Sequence, residues 1–359
     1  GGVLVLGAIL ATGPATVAPA VGETAAAARL PDPPASGVMG FVVQSLTYPV
    51  VHEADACPDG MQLPMRQTFL ERQTPEERAR LSLKENEPEL TRLWQAQAFG
   101  PNGTNICTNP DMFDRPMIKT VKGPHAIGMD LDGGKGDDTC EHEDFVSPTG
   151  EKGIDNQEYR VMGCTMNWRG EPGQPSEYDV GTRQFMISGE WTQVILLRGV
   201  DSLVNDPDVE VIYANTPDRP VVDSKGKILR GLSFSISDKA PRNRNVLKGK
   251  IVNGVLTTEP QDILLTQTWG QGGARDIRGN RTKQDFRRGR LRLTFQADGT
   301  LAGLVGGYRP VFDTIQSPAI GGAGSAVVAG IDCAAELKTL RQYADGIKDP
   351  KTGKCTGVS

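Results

Sequence analysis

The sequence predicts a mainly β protein: an antiparallel β-sandwich or barrel-like sheet with a short N-terminal helical hairpin and a C-terminal helix. Short runs that are apolar or alternate in polarity recur along the chain, separated by Gly, Pro, Asn and Asp. The dipeptides Asn253-Gly254 and Asp298-Gly299 lie in or between such runs and are typical of tight hairpin turns. The predicted strands span residues 38–51, 193–197, 208–213, 229–236, 250–258, 263–269, 291–295 and 301–306.

Two segments carry helix-start signals. TPEE at residues 74–77 supplies an N-cap threonine, a first-turn proline and a capping-box acid, and predicts a helix to about residue 83. NEPE at residues 86–89 repeats this pattern, and Trp94 falls on the apolar face that follows. We expect these helices to pack as a hairpin with Trp94 in the core. Residues 333–343 have apolar side chains at helical intervals and predict the C-terminal helix.

The start of the chain resembles a secretory signal peptide. Residues 3–10 are apolar, and small residues continue to Ala28, as in an h-region followed by a cleavage zone. Met and a basic n-region are missing, so we expect a signal peptide truncated at its start, with cleavage after Ala20 or Ala28. No later run is long and apolar enough to span a bilayer. These features predict an exported protein, periplasmic or extracellular, whose mature chain has no transmembrane span.

Charge and apolar content are those of a globular protein. The formal net charge is −5 and 38% of residues are apolar, which excludes a wholly disordered chain. We divide the chain into a signal peptide (1–28), an N-terminal strand and helical segment (29–120), an acidic loop (121–165), a β-rich body (166–330) and a C-terminal helix with a disulfide-tied tail (331–359).

Six cysteines predict three disulfides, because an even number in an exported chain is typical of oxidised pairs. The cysteines are Cys57, Cys107, Cys140, Cys164, Cys333 and Cys355. Sequence alone does not fix the connectivity. We expect successive cysteines to pair, as Cys57–Cys107, Cys140–Cys164 and Cys333–Cys355. The second of these bonds would close the acidic loop.

The acidic segment at residues 128–157 predicts a calcium site. If Asp130 takes the first position of an EF-hand-like loop, Asp132 takes the third and Glu141 the twelfth, and oxygen ligands in a tight turn suit a hard cation. Lys135 stands where an EF-hand requires glycine, and glycines and prolines interrupt both flanks. The alternative is a solvated acidic turn. The expected metal-binding residues are Asp130, Asp132, Gly136, Asp138, Glu141, Asp144 and Asp155.

Several strings resemble segments of uncharacterised exported bacterial proteins. They are GMDLDGG, SPTGEKGIDNQ, IVNGVLTTEP and ADGIKDPKTGKCT. The acidic loop is also similar to EF-hand and thrombospondin type 3 calcium repeats. The resemblance implies export and calcium binding but no activity.

The segment 275–292 is rich in arginine and admits two interpretations. It could bind a polyanion, or it could form a charged strand edge or an internal partner of the acidic loop. Phe286 is its only aromatic residue, so the stacking platforms of a nucleic-acid site are missing and nucleic acid is not an expected partner.

Two functions remain open. The favoured one is a non-enzymatic, calcium-stabilised binding or structural protein of the bacterial periplasm or cell surface, with a cell-surface or glycan partner. The alternative is a secreted hydrolase of glycans or esters that uses acidic-loop carboxylates. His125 and His142, with the acids beside His142, are an alternative set of zinc ligands. Carboxylates that converge on one point favour the first function, and carboxylates that line an open cleft favour the second.

Overall fold

One large β-sheet organises the protein, whose computed structural model describes residues 3–6, 30–133, 140, 142–238, 242–266, 283–316 and 330–359. The strands are β1 (Val3–Leu6), β2 (Met39–Val43), β3 (Phe145–Val146), β4 (Lys152–Ile154), β5 (Gln193–Arg198), β6 (Asp206–Asn215), β7 (Arg244–Val252), β8 (Val255–Thr258), β9 (Gln261–Thr266), β10 (Lys283–Phe295), β11 (Leu301–Pro310), β12 (Gly346–Lys348) and β13 (Cys355–Val358). The α-helices are α1 (Met65–Glu71), α2 (Pro75–Leu81), α3 (Glu87–Gln95), α4 (Gln157–Met162), α5 (Met166–Arg169), α6 (Glu177–Ser188), α7 (Val311–Gln316) and α8 (Cys333–Gln342). Short 3-10 helices span Lys84–Asn86, Ala96–Ala98, Pro101–Gly103 and Pro110–Met112.

The sheet is antiparallel except at one edge. Its order is β1-β2-β5-β6-β7-β8-β10-β11-β13-β12, and β9 pairs with the first part of the long strand β10. Among the described strands of this sheet, only β1 pairs in parallel, with β2, while β3 and β4 form a separate two-stranded sheet. The prediction of a mainly β, antiparallel protein is confirmed. The barrel-like alternative is wrong, because the sheet stays open between its end strands; the sandwich stays a prediction.

Both predicted hairpin turns are present. Asn253 and Gly254 have positive φ angles of 50° and 79° between β7 and β8, and Gly299 has a φ of 80° between β10 and β11. Positive φ in both central residues matches the twist of the strands that such a turn joins. Local sequence therefore fixes these two connections.

The sheet curves around the largest hydrophobic core. Phe41 of β2 and Phe295 of β10 have ring centroids 6.5 Å apart, although four strands separate β2 from β10 in the sheet order. Met186 of α6 and the following Trp191 are buried in the same core. Apolar residues at alternate positions of β2, β5, β6, β7 and β10 therefore face one another across the concave side of the sheet.

The segment 229–236 does not form the predicted strand. The segment does alternate in burial, because Leu232, Phe234 and Ile236 are partly buried and Ser233 and Ser235 between them are exposed. These apolar side chains pack with Val42 and Ile212 on a second face of the sheet. An extended segment that lies on the face of a sheet has the same side-chain period as a strand that pairs in it, so the pattern alone could not separate the two.

The predicted N-terminal helices exist, but the structure does not show a two-helix hairpin. Thr74 caps α2 by accepting a hydrogen bond from the backbone N–H of Glu77 at 3.2 Å. Asn86 does not cap α3; its side chain instead donates to the carbonyl oxygen of Arg80 at 2.8 Å. An additional helix, α1, joins α2 and α3 in one hydrophobic cluster that buries Trp94, as predicted.

Three disulfides are present, and all three expected pairings are wrong. The bonds are Cys57–Cys164, Cys107–Cys333 and Cys140–Cys355. Each joins segments more than 100 positions apart in the chain, so the tertiary fold and not sequence proximity selects the partners. For example, the first turn of α8 packs into the N-terminal helical cluster, where Cys333 is buried beside Cys107.

The C-terminal helix is confirmed as α8. The tail after it forms the β12–β13 hairpin, in which Lys348 is paired with Cys355. This hairpin brings Cys355 to Cys140 at the end of the acidic loop, and the backbone N–H of Cys140 donates to the carbonyl oxygen of Asp345 at 3.0 Å.

Candidate metal centre

Two arginines hold the start of the acidic segment on the long strand β10. Arg290 donates from Nη1 to the carbonyl oxygen of Asp130 at 2.9 Å and from Nη2 to that of Leu131 at 2.5 Å. Arg292 donates from Nη2 to the carbonyl oxygen of Gly128 at 2.9 Å. The loop backbone is thus fixed by charge-assisted hydrogen bonds, which are stronger than neutral ones.

Part of the arginine-rich segment 275–292 contacts the acidic loop, as one of its two interpretations predicts. Arg292 also forms an ion pair with Glu151 of the acidic loop at 2.9 Å, and Arg287 pairs with Asp262 at 2.6 Å. Arg290 and Arg292 are therefore internal partners of the acidic loop, one of the alternatives left open by the sequence. Residues 275–282 lie outside the described residues.

Side-chain alternation presents the first two aspartates on one side of the segment. Met129 and Leu131 are buried and pack against Tyr308 of β11. Asp130 is exposed and Asp132 is partly exposed. Because successive side chains of an extended segment point to opposite sides, burial of the two apolar residues directs both carboxylates away from the core.

The third aspartate reaches this position through the end of β4. Met129 and Asp155 form an antiparallel bridge, in which the N–H of Asp155 donates to the carbonyl oxygen of Met129 at 3.0 Å. The N–H of Leu131 donates to Oδ2 of Asp155 at 2.6 Å. Gly128 permits the approach, since a Cβ at that position would lie 2.7 Å from Cγ2 of Ile154. The glycine at the start of the motif is therefore required by packing.

The three carboxylates have the spacing of a cation site. One oxygen from each of Asp130, Asp132 and Asp155 lies within 4.8 Å of the others. Oxygens that ligate Ca²⁺ at about 2.3–2.6 Å are at most about 5 Å apart, so these three fit around one ion. All three are hard oxygen donors, and the group contains no histidine nitrogen or cysteine sulfur. This donor set suits calcium or magnesium better than zinc.

The surroundings disfavour a negative charge on Asp155. Burial, with a smaller contribution from the carboxylates of Asp132, Asp345 and Asp144, raises the pKa of this carboxyl to about 7 against the lowering effect of the Leu131 N–H. Without a counter-ion, the carboxyl of Asp155 therefore takes up a proton as the pH falls through about 7. A divalent cation would stabilise the ionised form of the group in place of that proton.

Asp345 is an acid of this region that sequence reasoning missed. Burial raises its pKa to about 6 although the N–H of Ser359 donates to its Oδ1 at 2.8 Å, and Asp132 contributes to the rise. The residue follows α8 far along the chain from Asp155, within a segment that reads as a turn. Only knowledge of the Cys140–Cys355 bond would have placed it here.

The expected ligands fall into three groups. Asp130, Asp132 and Asp155 are brought together. Asp144 is exposed and is not a member of the group, although its negative charge contributes to the raised pKa of Asp155. Gly136, Asp138 and Glu141 lie outside the described residues. Because Asp155 comes from a separate strand, the ligands in the described chain are not those of one contiguous EF-hand loop.

The histidines make separate contacts. A ring nitrogen of His125 (Nδ1) lies 3.0 Å from a carboxylate oxygen of Glu53, and Nε2 of His142 lies 3.0 Å from the carbonyl oxygen of Ala344. Neither joins the group of candidate ligands found among the described residues. The structure therefore gives no support to a zinc site built from this pair.

Within the described ranges, no helix combines the length and apolar character needed to span a membrane. Comparisons with protein-family models, curated proteins and solved structures find no match.

Proposed function

We propose that the chain is an exported, calcium-stabilised, disulfide-bonded binding or structural protein of the bacterial periplasm or cell surface. The observation that carries this proposal is the convergence of Asp130, Asp132 and Asp155 within 4.8 Å, with Asp155 buried. Ionised carboxylates this close repel one another unless a proton or a cation is bound between them.

Calcium is the ion that this group favours. Calcium accepts about six to eight oxygen ligands in flexible geometry, whereas magnesium requires near-octahedral geometry and retains several waters. Three carboxylates from two separate segments, completed by carbonyl oxygens and water, match the more flexible requirement. Calcium sites of extracellular modules typically have Kd values of about 0.1–1 mM, which suits an exported protein.

The disulfides support the same compartment. All six cysteines are paired, and stable disulfides persist in oxidising environments outside the cytoplasm. Cys140–Cys355 and calcium would act together, because the bond ties the acidic loop to the C-terminal hairpin and the ion would tie Asp130 and Asp132 to Asp155. The role of the ion is thereby structural, and a cell-surface or glycan partner is the class expected in that compartment.

Thermal unfolding tests the calcium site. The oxidised protein is melted in excess EDTA and again with calcium or magnesium restored. An ion at about 100 times its Kd stabilises the folded state by about 2.7 kcal/mol, or roughly 4 °C in a protein of this size. We expect that increase with calcium and a smaller one with magnesium. A melting temperature that is the same in chelator and in calcium would exclude the site.

A further inference from the structure

Strand β1 covers one edge of the large sheet. It pairs in parallel with β2, from Val3 opposite Gly40 to Leu6 opposite Val43. It is also close to β11, although five strands separate β2 from β11 in the sheet order. β1 therefore lies where the curved sheet brings β2 and β11 toward each other.

The edge of β2 has little protection of its own. On its other side β2 pairs with β5, so among the described strands β1 alone covers this edge. The sequence of β2, MGFVV, contains no charged residue and no proline, which are the residues that commonly protect an exposed edge. Met39, Phe41 and Val43 are buried in the largest core. An uncovered β2 would thus present unpaired backbone N–H and C=O groups beside apolar side chains, which together form a template for an added strand.

Strand β11 borders the same position. It pairs with β10 along residues 301–308 and with β13 only at Arg309 and Pro310. On the side away from β10, no described strand pairs with residues 301–308. Val305 of this stretch is partly buried against the largest core. We call the edge of β2 together with the adjoining part of β11 the strand slot.

The residues of β1 belong to the segment that the sequence predicts to be a signal peptide. Cleavage after Ala20 or Ala28 would remove the sequence VLVL and uncover the strand slot in the exported chain. The apolar sequence of β1 shows which kind of segment the slot accepts. A similar segment of another polypeptide would then take its place.

We propose that the strand slot binds an extended apolar segment of a partner polypeptide, as an added strand parallel to β2. Backbone hydrogen bonds to β2 supply the affinity, and apolar side chains supply the preference for segments such as VLVL. The proposal rests on the binding role proposed above, for which it names a ligand class, but it does not require calcium. The slot and the metal group have no residue in common.

The test uncovers the slot in the full chain and offers the fluorescently labelled peptide GGVLVLGA, which carries the sequence of β1. Leu4→Pro combined with Val5→Pro removes two successive backbone N–H groups, one of which faces β2, because neighbouring N–H groups of a strand point to opposite sides. We expect fluorescence anisotropy to show saturable, micromolar binding to this proline variant. Binding to the wild type should be at least tenfold weaker, because its own β1 competes at an effective concentration on the order of 1 mM.

Two further changes separate strand addition from apolar adsorption. A peptide N-methylated at its central Leu and Val keeps the side chains but loses the backbone donors, and should bind at least tenfold more weakly. Gly40→Lys, added to the proline variant, places a charge on the edge of β2 and should weaken peptide binding several-fold. A Cβ at Gly40 has open space around it, so this variant should fold. Val246→Lys, at an exposed position of the interior strand β7, is the matched control and should leave binding unchanged.

Three results would overturn the proposal. They are no saturable binding to the folded proline variant, equal binding of the N-methylated peptide, and a proline variant that dimerises in light scattering and leaves the peptide unbound, since the slot would then take a second copy. Should the proline variant not fold, the wild type decides, because excess peptide should still displace β1 and the N-methylated peptide should not.

Peptide binding is measured in calcium and again in EDTA. Loss of the calcium effect on melting with retention of peptide binding would refute only the calcium site of the proposed function. The reverse result would refute only this inference.

Discussion

The carboxylate of Asp155 accepts a hydrogen bond from the backbone N–H of Leu131, 24 positions earlier in the chain, at 2.6 Å. This contact joins the end of strand β4 to the aspartate-rich segment and places Asp155 beside Asp132 and Asp130. Asp155 is also the least solvated acid of the group. A cation that binds there must displace the proton of this carboxyl, so protonation and cation binding are linked.

Asp155→Asn should reverse its effect on stability when calcium is added. In EDTA we expect a melting temperature equal to or above that of the wild type, because the variant removes a desolvated carboxyl from a field of like charges and still accepts from Leu131. With calcium at about 100 times its Kd we expect the variant to melt about 4 °C below the wild type, because it lacks a charged ligand. Calorimetry in both buffers measures the difference in melting temperature between the variant and the wild type, which should change sign when calcium is added.

Asp55→Asn is the matched control, since Asp55 is an exposed loop aspartate outside the metal group. It should respond to calcium as the wild type does. Retention of the full calcium response in Asp155→Asn would contradict the assignment of Asp155 as a ligand.

Glu336 should make the folded state less stable as the pH rises from about 4.5 to about 8. Burial raises its pKa from 4.5 to about 8 in the folded protein, so within this window the folded state keeps a proton that the unfolded chain releases. The resulting stabilisation is complete below pH 4.5 and is lost as the pH rises through 8, at up to about 1.4 kcal/mol per pH unit. The charged and titratable groups that face Glu336 are Asp332, Tyr178 and the buried ion pair of Glu158 with Arg309.

Urea unfolding at pH 5, 6, 7 and 8, in EDTA throughout, isolates this effect. Because glutamine has no proton to lose, the stability of Glu336→Gln relative to the wild type should increase steadily with pH. Glu177→Gln, at an exposed position of α6, should show a constant difference. A constant difference for Glu336→Gln as well would show that burial does not raise the pKa of Glu336.

Features that depend on neighbouring residues were predictable from the sequence. Thr74 caps α2 because its hydroxyl is three positions before the N–H it accepts, and Asn253-Gly254 turns the chain because of its own backbone preferences. Helix α6 could have been predicted on the same basis, since Ser176 and Asp179 form a capping box. Helix α1 has no side-chain cap and no acid in its first turn, so only its tertiary packing identifies it.

Features that depend on distant residues were not predictable in the same way. Aspartate density and alternation indicated Asp130 and Asp132, and Asp155 was included for its charge, but the backbone bridge to Met129 that positions it is tertiary. The same holds for Asp345 and for every disulfide. Sequence therefore located most of the described acids of the site without showing which strands bring them together.

Peptide mapping without reduction should recover Cys57 linked to Cys164, Cys107 to Cys333, and Cys140 to Cys355. Reduction should add the mass of six hydrogens, two for each of the three bonds. In the chain-entropy picture, bonds that close loops of about 100 residues or more each contribute about 4–5 kcal/mol when formed alone. Linkage of successive cysteines, or any free thiol in the oxidised protein, would contradict this connectivity.

Arg290→Lys should weaken calcium binding about tenfold while the protein remains folded. The guanidinium holds the carbonyl oxygens of Asp130 and Leu131 with two separate N–H groups, and a lysine ammonium does not reproduce that planar fork. The substitution keeps the positive charge. A loss of calcium affinity would therefore show that Arg290 acts by positioning the loop and not through its charge. Calcium titration followed by calorimetry measures the affinity.

Arg230→Lys is the matched control, because it changes an exposed arginine whose partners are in the β10–β11 turn. This variant should bind calcium as the wild type does. Equal affinity of Arg290→Lys and the wild type would show that Arg290 does not position the ligands.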